Sequence, residues 1–296
     1  MSGIELGRVG AWGHLDSLDA AGARGYARRV EELGYGTLWV PETVGREPFT
    51  LLGLLASETS RLVLGTSIVG IWGHDAQTTR MASLTLSEAT GGRFVLGLGV
   101  SHPHLAEKLR GHRFDRPLTR MREFLAAYRA AVIRAPALEG AAEPPILVAA
   151  LRARMTELAA TDADGAFPYL VTPEHVAEMR RTLDAAAPGR RSLLAVTLPV
   201  VLGHGSEATA AARAYLKPYL RTPTYQATWT LQGFEPPDWE APGSDRLLAA
   251  MVALGDVAAI RERIDGLLAA GADHVALIPL APDGTTEHLA TLEALS

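Results

Sequence analysis

The sequence predicts an α/β protein, a closed (β/α)8 TIM barrel carrying an insertion between its seventh and eighth strands. Three observations lead there. Short β-rich runs alternate with helical patterns along the chain, which implies parallel strands joined by crossover helices. The strand runs are continuously apolar, as expected where both faces of a sheet are covered. The 296 residues and 48% hydrophobic content suit one large buried core and exclude a disordered chain. A doubly wound open sheet competes with the barrel, but it needs a glycine fingerprint after an early strand. Gly97-Leu98-Gly99 is followed by His102 where the third glycine belongs, so that fingerprint fails.

Each element has its own justification. Residues 8–12 form the first strand. The helix after it runs to Leu33, with Ala23, Tyr26, Val30 and Leu33 on its apolar face and Gly34 as its stop. Residues 37–40 are the second strand and 49–59 the second helix. Residues 62–69 are the third strand, after which Asp75 caps a helix to Thr90. The fourth strand, 94–100, precedes a helix with Leu118, Met121, Leu125, Tyr128 and Val132 on one face. Residues 146–149 are the fifth strand, and a short helix holding Met155, Leu158 and Ala159 follows. Residues 166–171 are the sixth, and Thr172-Pro173 reads as an N-cap with proline in the first helical position. The seventh strand spans 193–202, with Ser206 capping a helix to Leu220. A helix from near Asp256 leads to the eighth strand, 274–280, and a last helix covers 285–295. Residues 217–244 break this rhythm with Pro218, Pro223, Pro236, Pro237 and Pro242 among Tyr219, Tyr225, Trp229, Phe234 and Trp239. This insertion is either a surface excursion with its own packing or a lid or wall of the substrate pocket. Residues 1–296 otherwise read as a single domain.

Composition removes several function classes. A net charge of −5 and a pI near 6.0 imply no general affinity for nucleic acid or anionic membrane. The absence of cysteine excludes disulfides, thiolate metal sites and thiol nucleophiles. No apolar run approaches the roughly 20 residues that span a bilayer. Residues 1–6 lack the basic and apolar regions of a signal peptide. The expectation is a soluble, cytoplasmic bacterial protein acting on a small molecule; scarce Lys beside many Ala, Arg and Gly residues suggests a GC-rich genome.

In a barrel the active site gathers at the carboxyl ends of the strands. Those ends hold Pro41-Glu42-Thr43, residues 70–74, residues 101–104, Ala150-Leu151-Arg152 and residues 168–172. Glu42 either faces the mouth or caps the next helix. His102 directly follows an apolar strand and is the candidate acid-base group, because imidazole titrates near neutral pH; the alternative is a structural histidine bonded to backbone. His74 and His104 read as loop histidines. Gly97 and Gly99 serve close packing, and Trp12 and Trp72 either wall the site or pack the core. Lys108, Arg110, Arg113, Arg116, Arg120 and Arg122 form either a solvated face or a receiver for phosphate or carboxylate. Metal-dependent hydrolysis is an alternative from another class, using His74, Asp75, His102 and His104, since HxH spacing can hold zinc. No other strand end supplies a further His or Asp pair, so no metal is expected.

Four segments in order, ELGYGTLWVPE, RLVLGTSIVGIWGHDAQT, GRFVLGLGVSHP and DGAFPYLVTPEH, resemble the luciferase-like monooxygenase family, especially its branch of coenzyme F420-dependent oxidoreductases. The resemblance runs nearly the whole chain. It implies a (β/α)8 barrel with insertions and a non-prolyl cis peptide at Ser67-Ile68 pressing on the coenzyme ring. It places Val69 and Gly70 along that ring and Val100, Ser101 and His102 at its reactive edge. Ala150, Leu151 and Arg152 match the segment that cradles the coenzyme phosphate through backbone N–H groups at a helix N-terminus. The implied coenzyme is F420, with FMN as the alternative. The implied activity is hydride transfer between a reduced deazaflavin and a small organic substrate such as an activated alkene, imine or carbonyl. An FMN-dependent monooxygenase, or a protein that holds coenzyme without turnover, is the alternative, and a homodimer is the usual assembly. Similar sugar-phosphate dehydrogenases carry Asp-His where this chain has Glu42-Thr43, an acidic residue at the position of His102, and often Gly at that of Arg152. Glu42 can replace the carboxylate, but Thr43 is no acid near neutral pH. The expected catalytic pair is therefore His102, as the main proton donor or acceptor, with Glu42.

Overall fold

The computed structural model describes residues 4–138, 140–281 and 289–296. Its strands are β1 (Val9–Trp12), β2 (Thr37–Val40), β3 (Val63–Thr66), β4 (Val69–Gly70), β5 (Phe94–Gly99), β6 (Ile146–Val148), β7 (Gly165–Ala166), β8 (Leu193–Leu202), β9 (Ala253–Gly255) and β10 (His274–Leu280). Hydrogen bonding runs β1-β2-β3-β5-β6-β7-β8-β10 and returns from β10 to β1, every pair parallel, so eight strand positions close into a barrel. The short β4 continues the third position along β5, and β9 lies beside the last residues of β8.

The helices are α1 (Ala20–Glu32), α2 (Pro48–Ala56), α3 (Ala76–Ala89), α4 (Pro117–Ala130), α5 (Ala153–Asp162), α6 (Pro173–Ala186), α7 (Gly205–Leu216), α8 (Pro223–Leu231), α9 (Pro236–Trp239), α10 (Asp245–Met251), α11 (Val257–Ala269) and α12 (Leu289–Leu295). Local chemistry sets where several begin. Asp19, Glu47, Asp75, Thr172 and Asp256 each accept a first-turn N–H, as N-caps do. Glu47, not Glu42, caps α2, which leaves Glu42 for the barrel mouth. Among the described residues no helix is long and apolar enough to cross a membrane.

Two apolar layers hold the barrel. Inside it, Trp39, Val63, Val95, Leu147, Phe167, Ala195 and Ala276 meet from different strands. Gly65 makes room for the Trp39 indole, which a Cβ at position 65 would approach to 2.4 Å. The Trp39 indole N–H donates to His274 Nε2 at 2.9 Å, so the His274 proton sits on Nδ1 and is donated to the Gly7 carbonyl at 2.7 Å. Burial pushes the His274 imidazole down to about 4, against the raising effect of that carbonyl. The outer layer packs the opposite strand faces against the surrounding helices.

The structure departs from the sequence reading in several places. The third strand is split into β3 and β4 at the cis peptide Ser67-Ile68. The sixth strand is only β7 plus a single bridge from Tyr169 to Thr197, because Pro168 lacks an N–H and Leu170 takes φ +56°, which carries the chain out of the ladder. Val132 lies beyond α4 and is 62% exposed instead of sharing its buried face. His204, not Ser206, occupies the N-cap of α7, which ends at Leu216. The proline-rich stretch contains α8 and α9, and β9 and α10 were not foreseen at all. Of the last predicted helix, 289–295 is helical, and 285–288 lie outside the described residues. Side chains of α7, α8 and α10 share one apolar cluster with Leu170 and with Val201, Ile278 and Leu280 at the ends of β8 and β10, so the insertion is packed onto the barrel mouth.

Candidate active site at the barrel mouth

At the carboxyl ends of β2, β4 and β5 lies a cavity of about 240 Å³, lined by Glu42, Thr43, Val44, Ile68, Gly70, Trp72, Ser101, Leu105, Ala106, Leu109 and Arg110. Its inner end is built by two glycines and the cis bulge. The Ile68 side chain lies over Gly99, where a Cβ would come within 2.5 Å of it, and Gly97 lets the Thr66 carbonyl approach to where a side chain's Cβ would lie only 2.0 Å from it. The expected close-packing role of both glycines therefore holds. Ser67 receives the Trp12 indole N–H on its Oγ at 3.1 Å, so Trp12 braces the bulge from behind, whereas Trp72 is a cavity wall whose indole donates to the Val100 carbonyl at 2.8 Å.

Glu42 is the electrostatic centre. Only 9% of its side chain is exposed, and its carboxylate accepts from the Gly70 N–H at 2.6 Å, His74 Nε2 at 3.0 Å and the Arg110 guanidinium at 2.5 Å. Burial raises its pKa, but the hydrogen bonds from His74 and Gly70 and the charges of His74 and Arg110 outweigh that, so the net shift is downward and Glu42 is ionised at neutral pH. A carboxylate so held orients the donors around it. Thr43, standing beside it, donates to Asp16 Oδ2 at 2.5 Å and ties the β2–α2 loop to the loop after β1.

His102 follows the turn at Ser101, which takes φ +54°, a left-handed conformation uncommon for a residue with a side chain. Its imidazole packs parallel to His104, centroids 6.0 Å apart, and 5.5 Å from the Tyr225 ring of α8. Nδ1 of His102 is buried and has no partner among the described residues, which argues against a structural histidine bonded to backbone. Burial first, and then the neighbouring His104, lower its pKa, so the ring is neutral at pH 7. The insertion supplies more than Tyr225. Buried Tyr225 and half-buried Tyr169, Tyr215 and Tyr219 form one aromatic cluster, and α8 is held to the β7–α6 loop by Trp229 bonding the Leu170 carbonyl at 3.3 Å and Gln232 accepting the Thr172 N–H at 2.7 Å.

Of the residues expected at the site, Glu42, Ile68, Gly70 and Ser101 converge on the cavity. His102 and Val100 adjoin it through Ser101 and Trp72. The Val69 side chain instead enters the outer core, and Ala150 is buried there too. Leu151 packs between two apolar clusters, and its carbonyl meets His175 Nε2 at 2.9 Å. Arg152 is the N-cap of α5 with no side-chain cap, so that helix start keeps backbone N–H groups for an anion. Sequence reading missed His74 and Arg110 as partners of Glu42. Arg110 alone of the basic cluster enters the cavity; Arg113 and Arg120 pair with Asp115, and Arg122 with Asp162. Asp75 is engaged by the Thr78 N–H and hydroxyl, and among the described residues no three His, Asp or Glu side chains are placed to hold a metal ion.

The sequence profile of luciferase-like monooxygenases matches residues 3–274. The chain belongs to this family. Among its relatives, a Mycobacterium tuberculosis protein provisionally named as a coenzyme F420-dependent oxidoreductase is 31% identical over 261 residues, covering 74% of this chain and 72% of its own length. Two solved structures of low identity share the fold of this luciferase-like chain. An F420-dependent secondary alcohol dehydrogenase holding an F420-acetone adduct superposes with a TM-score of 0.78 at 13% identity, covering 97% and 96% of the two chains. The oxygenating constituent of the 3,6-diketocamphane monooxygenase of Pseudomonas putida, a type II Baeyer-Villiger monooxygenase in complex with FMN, superposes with a TM-score of 0.74 at 14% identity, covering 99% and 97%.

Proposed function

We propose that this luciferase-like protein is an F420-dependent oxidoreductase that passes hydride between the deazaflavin and a small organic substrate, with His102 managing the accompanying proton. The observation that supports this most is the His102 side chain: neutral, with a buried unpartnered Nδ1, directly after the Ser101 turn beside the cavity. The residues fit a flat ring. Gly70 has no side chain, so the cavity floor stays open beside Glu42 and Ser101, while Ile68 and Trp72 supply apolar faces. The uncapped start of α5 at Arg152 suits a phosphate. Bound F420 supplies the hydride chemistry.

The chain's own part is then division of labour. Ile68, Gly70 and Ser101 hold the ring, with Val69 and Val100 contributing backbone. Ala150, Leu151 and Arg152 take the phosphate. Glu42 stays ionised and fixes His74 and Arg110, while His102 donates or accepts the proton. Tyr225 and the insertion, residues 217–244, wall His102 from solvent. The cavity, near 240 Å³, is a little below the roughly 300–1,000 Å³ of drug-sized sites.

Similarity to the M. tuberculosis relative favours F420, and the likeness to an FMN complex supports a second reading, an FMN-dependent monooxygenase using the same site. Titrating the purified protein with F420 and with FMN, following fluorescence quenching, separates them. Tighter binding of F420 is expected, and tighter binding of FMN overturns the choice. The assembly we propose is a homodimer, for which light scattering should return twice the 31.5 kDa chain mass.

A further inference from the structure

Arg110 stands out in the cavity because it is held on two sides and left open on the third. Its Nη2 donates to Glu42 Oε1 at 2.5 Å. Its guanidinium lies against the backbone of Gly73, where a Cβ would come within 2.3 Å of Nη1 and 2.6 Å of Cζ, so a side chain at position 73 would displace it. A guanidinium carries five N–H groups in a planar fork. Among the described residues Glu42 is the one acceptor of an Arg110 hydrogen bond, and the side chain is 30% exposed on the cavity wall. The remaining N–H groups have no acceptor among the described residues and open to the cavity and to solvent. Glu42 Oε1 already receives His74 and Arg110, and Oε2 receives the Gly70 N–H.

The surroundings narrow the ligand. Val44 and Leu109, 76% and 54% exposed, form an apolar rim on the same cavity, and Trp72 and Leu105 continue it inward. An apolar rim with one preoriented guanidinium suits a small molecule with an apolar body and an anionic head. We infer that Arg110 is a specificity-determining residue that receives a carboxylate or phosphate at the mouth of the cavity, so that the substrate is a small anion. This deepens the proposed function and rests on it only for calling the ligand a substrate. The same charge recognition has a second source, the phosphate of the coenzyme itself.

Binding measurements need no turnover and distinguish the sources. Ligand-observed NMR titration with hexanoate and with hexanamide, which differ in charge and little in shape, tests the head group. The wild-type protein should bind hexanoate at least tenfold more tightly than hexanamide, and that preference should vanish in Arg110→Gln and survive in Arg110→Lys in reduced form. Gly73→Ala should reduce it without touching the charge itself. In parallel, FMN is compared with riboflavin, the same ring without phosphate. If Arg110→Gln weakens FMN but not riboflavin, the anion belongs to the coenzyme and the assignment of an anionic substrate is overturned. If it leaves both within twofold while abolishing hexanoate preference, the anion belongs to the substrate. Equal affinity for acid and amide in the wild type, together with no effect of Arg110→Gln on FMN, overturns the inference. Because hexanoate binding is read without coenzyme, failure of the F420 choice would leave this result standing, and the reverse.

Discussion

Replacing Glu42 by Gln tests the electrostatic centre of the mouth most directly. The substitution keeps the size of the side chain and removes its charge. The three donors it serves, Gly70 N–H, His74 and Arg110, then face one amide oxygen and an NH2 group that competes with them. Removing one partner from a fully buried ion pair costs roughly 3–5 kcal/mol, but Arg110 is 30% exposed and can turn to water, so about 2 kcal/mol is expected at pH 7. The pH dependence has a definite sign. The folded-state pKa of Glu42 lies below its ordinary 4.5, so its stabilisation is complete above pH 4.5 and is lost as pH falls through the folded value. Equilibrium urea denaturation of both proteins across pH 7 to 3.5 reads the difference. It should be full at neutral pH and shrink in acid. A gap under about 0.5 kcal/mol at pH 7, the ordinary scatter of surface substitutions, or a gap that widens in acid would refute the account.

Three further outcomes follow from neighbouring parts of the site. NMR titration of the His102 imidazole should give a midpoint below 6.5, rising toward it in His104→Gln as one of the two lowering influences is removed; His102→Ala should slow coenzyme reoxidation far more than it weakens coenzyme binding. Tyr225→Leu should raise the His102 midpoint by admitting water beside the ring and destabilise the protein by about 1–3 kcal/mol, and an unshifted midpoint would remove Tyr225 from the site. Gly97→Ala should cost more than the roughly 1–3 kcal/mol of ordinary overpacking, since its Cβ would meet the rigid Thr66 carbonyl at 2.0 Å, whereas Gly73→Ala meets only the movable end of Arg110 and should change urea stability by less than about 1 kcal/mol.

The barrel was legible because its strands are short apolar runs whose ends are marked by Gly, Asp and Pro. The periodicity of Ala23, Tyr26 and Val30 on α1 and the caps at Asp75 and Thr172 are local chemistry, and local chemistry is written in neighbouring residues. Pro168 also signals locally, yet reading residues 166–171 as one strand ignored its missing N–H. The insertion resisted reading because α8, α9 and α10 are stabilised by a shared cluster with α7 and the strand ends, not by pattern or length of their own.

The candidate site divides along the same line. Alternation and apolar strands placed Glu42, Gly70, Ser101 and His102 at strand ends, and a parallel barrel gathers such ends on one face. Which of them touch was decided by tertiary structure. His74 and Arg110 lie 32 and 68 residues from Glu42, and Tyr225 lies in a stretch with no strand or helix period to aim it at His102. Partner choice among distant side chains depends on how strand tilt, the Ser101 turn and the packing of α8 combine in space, and no window of sequence contains those three at once.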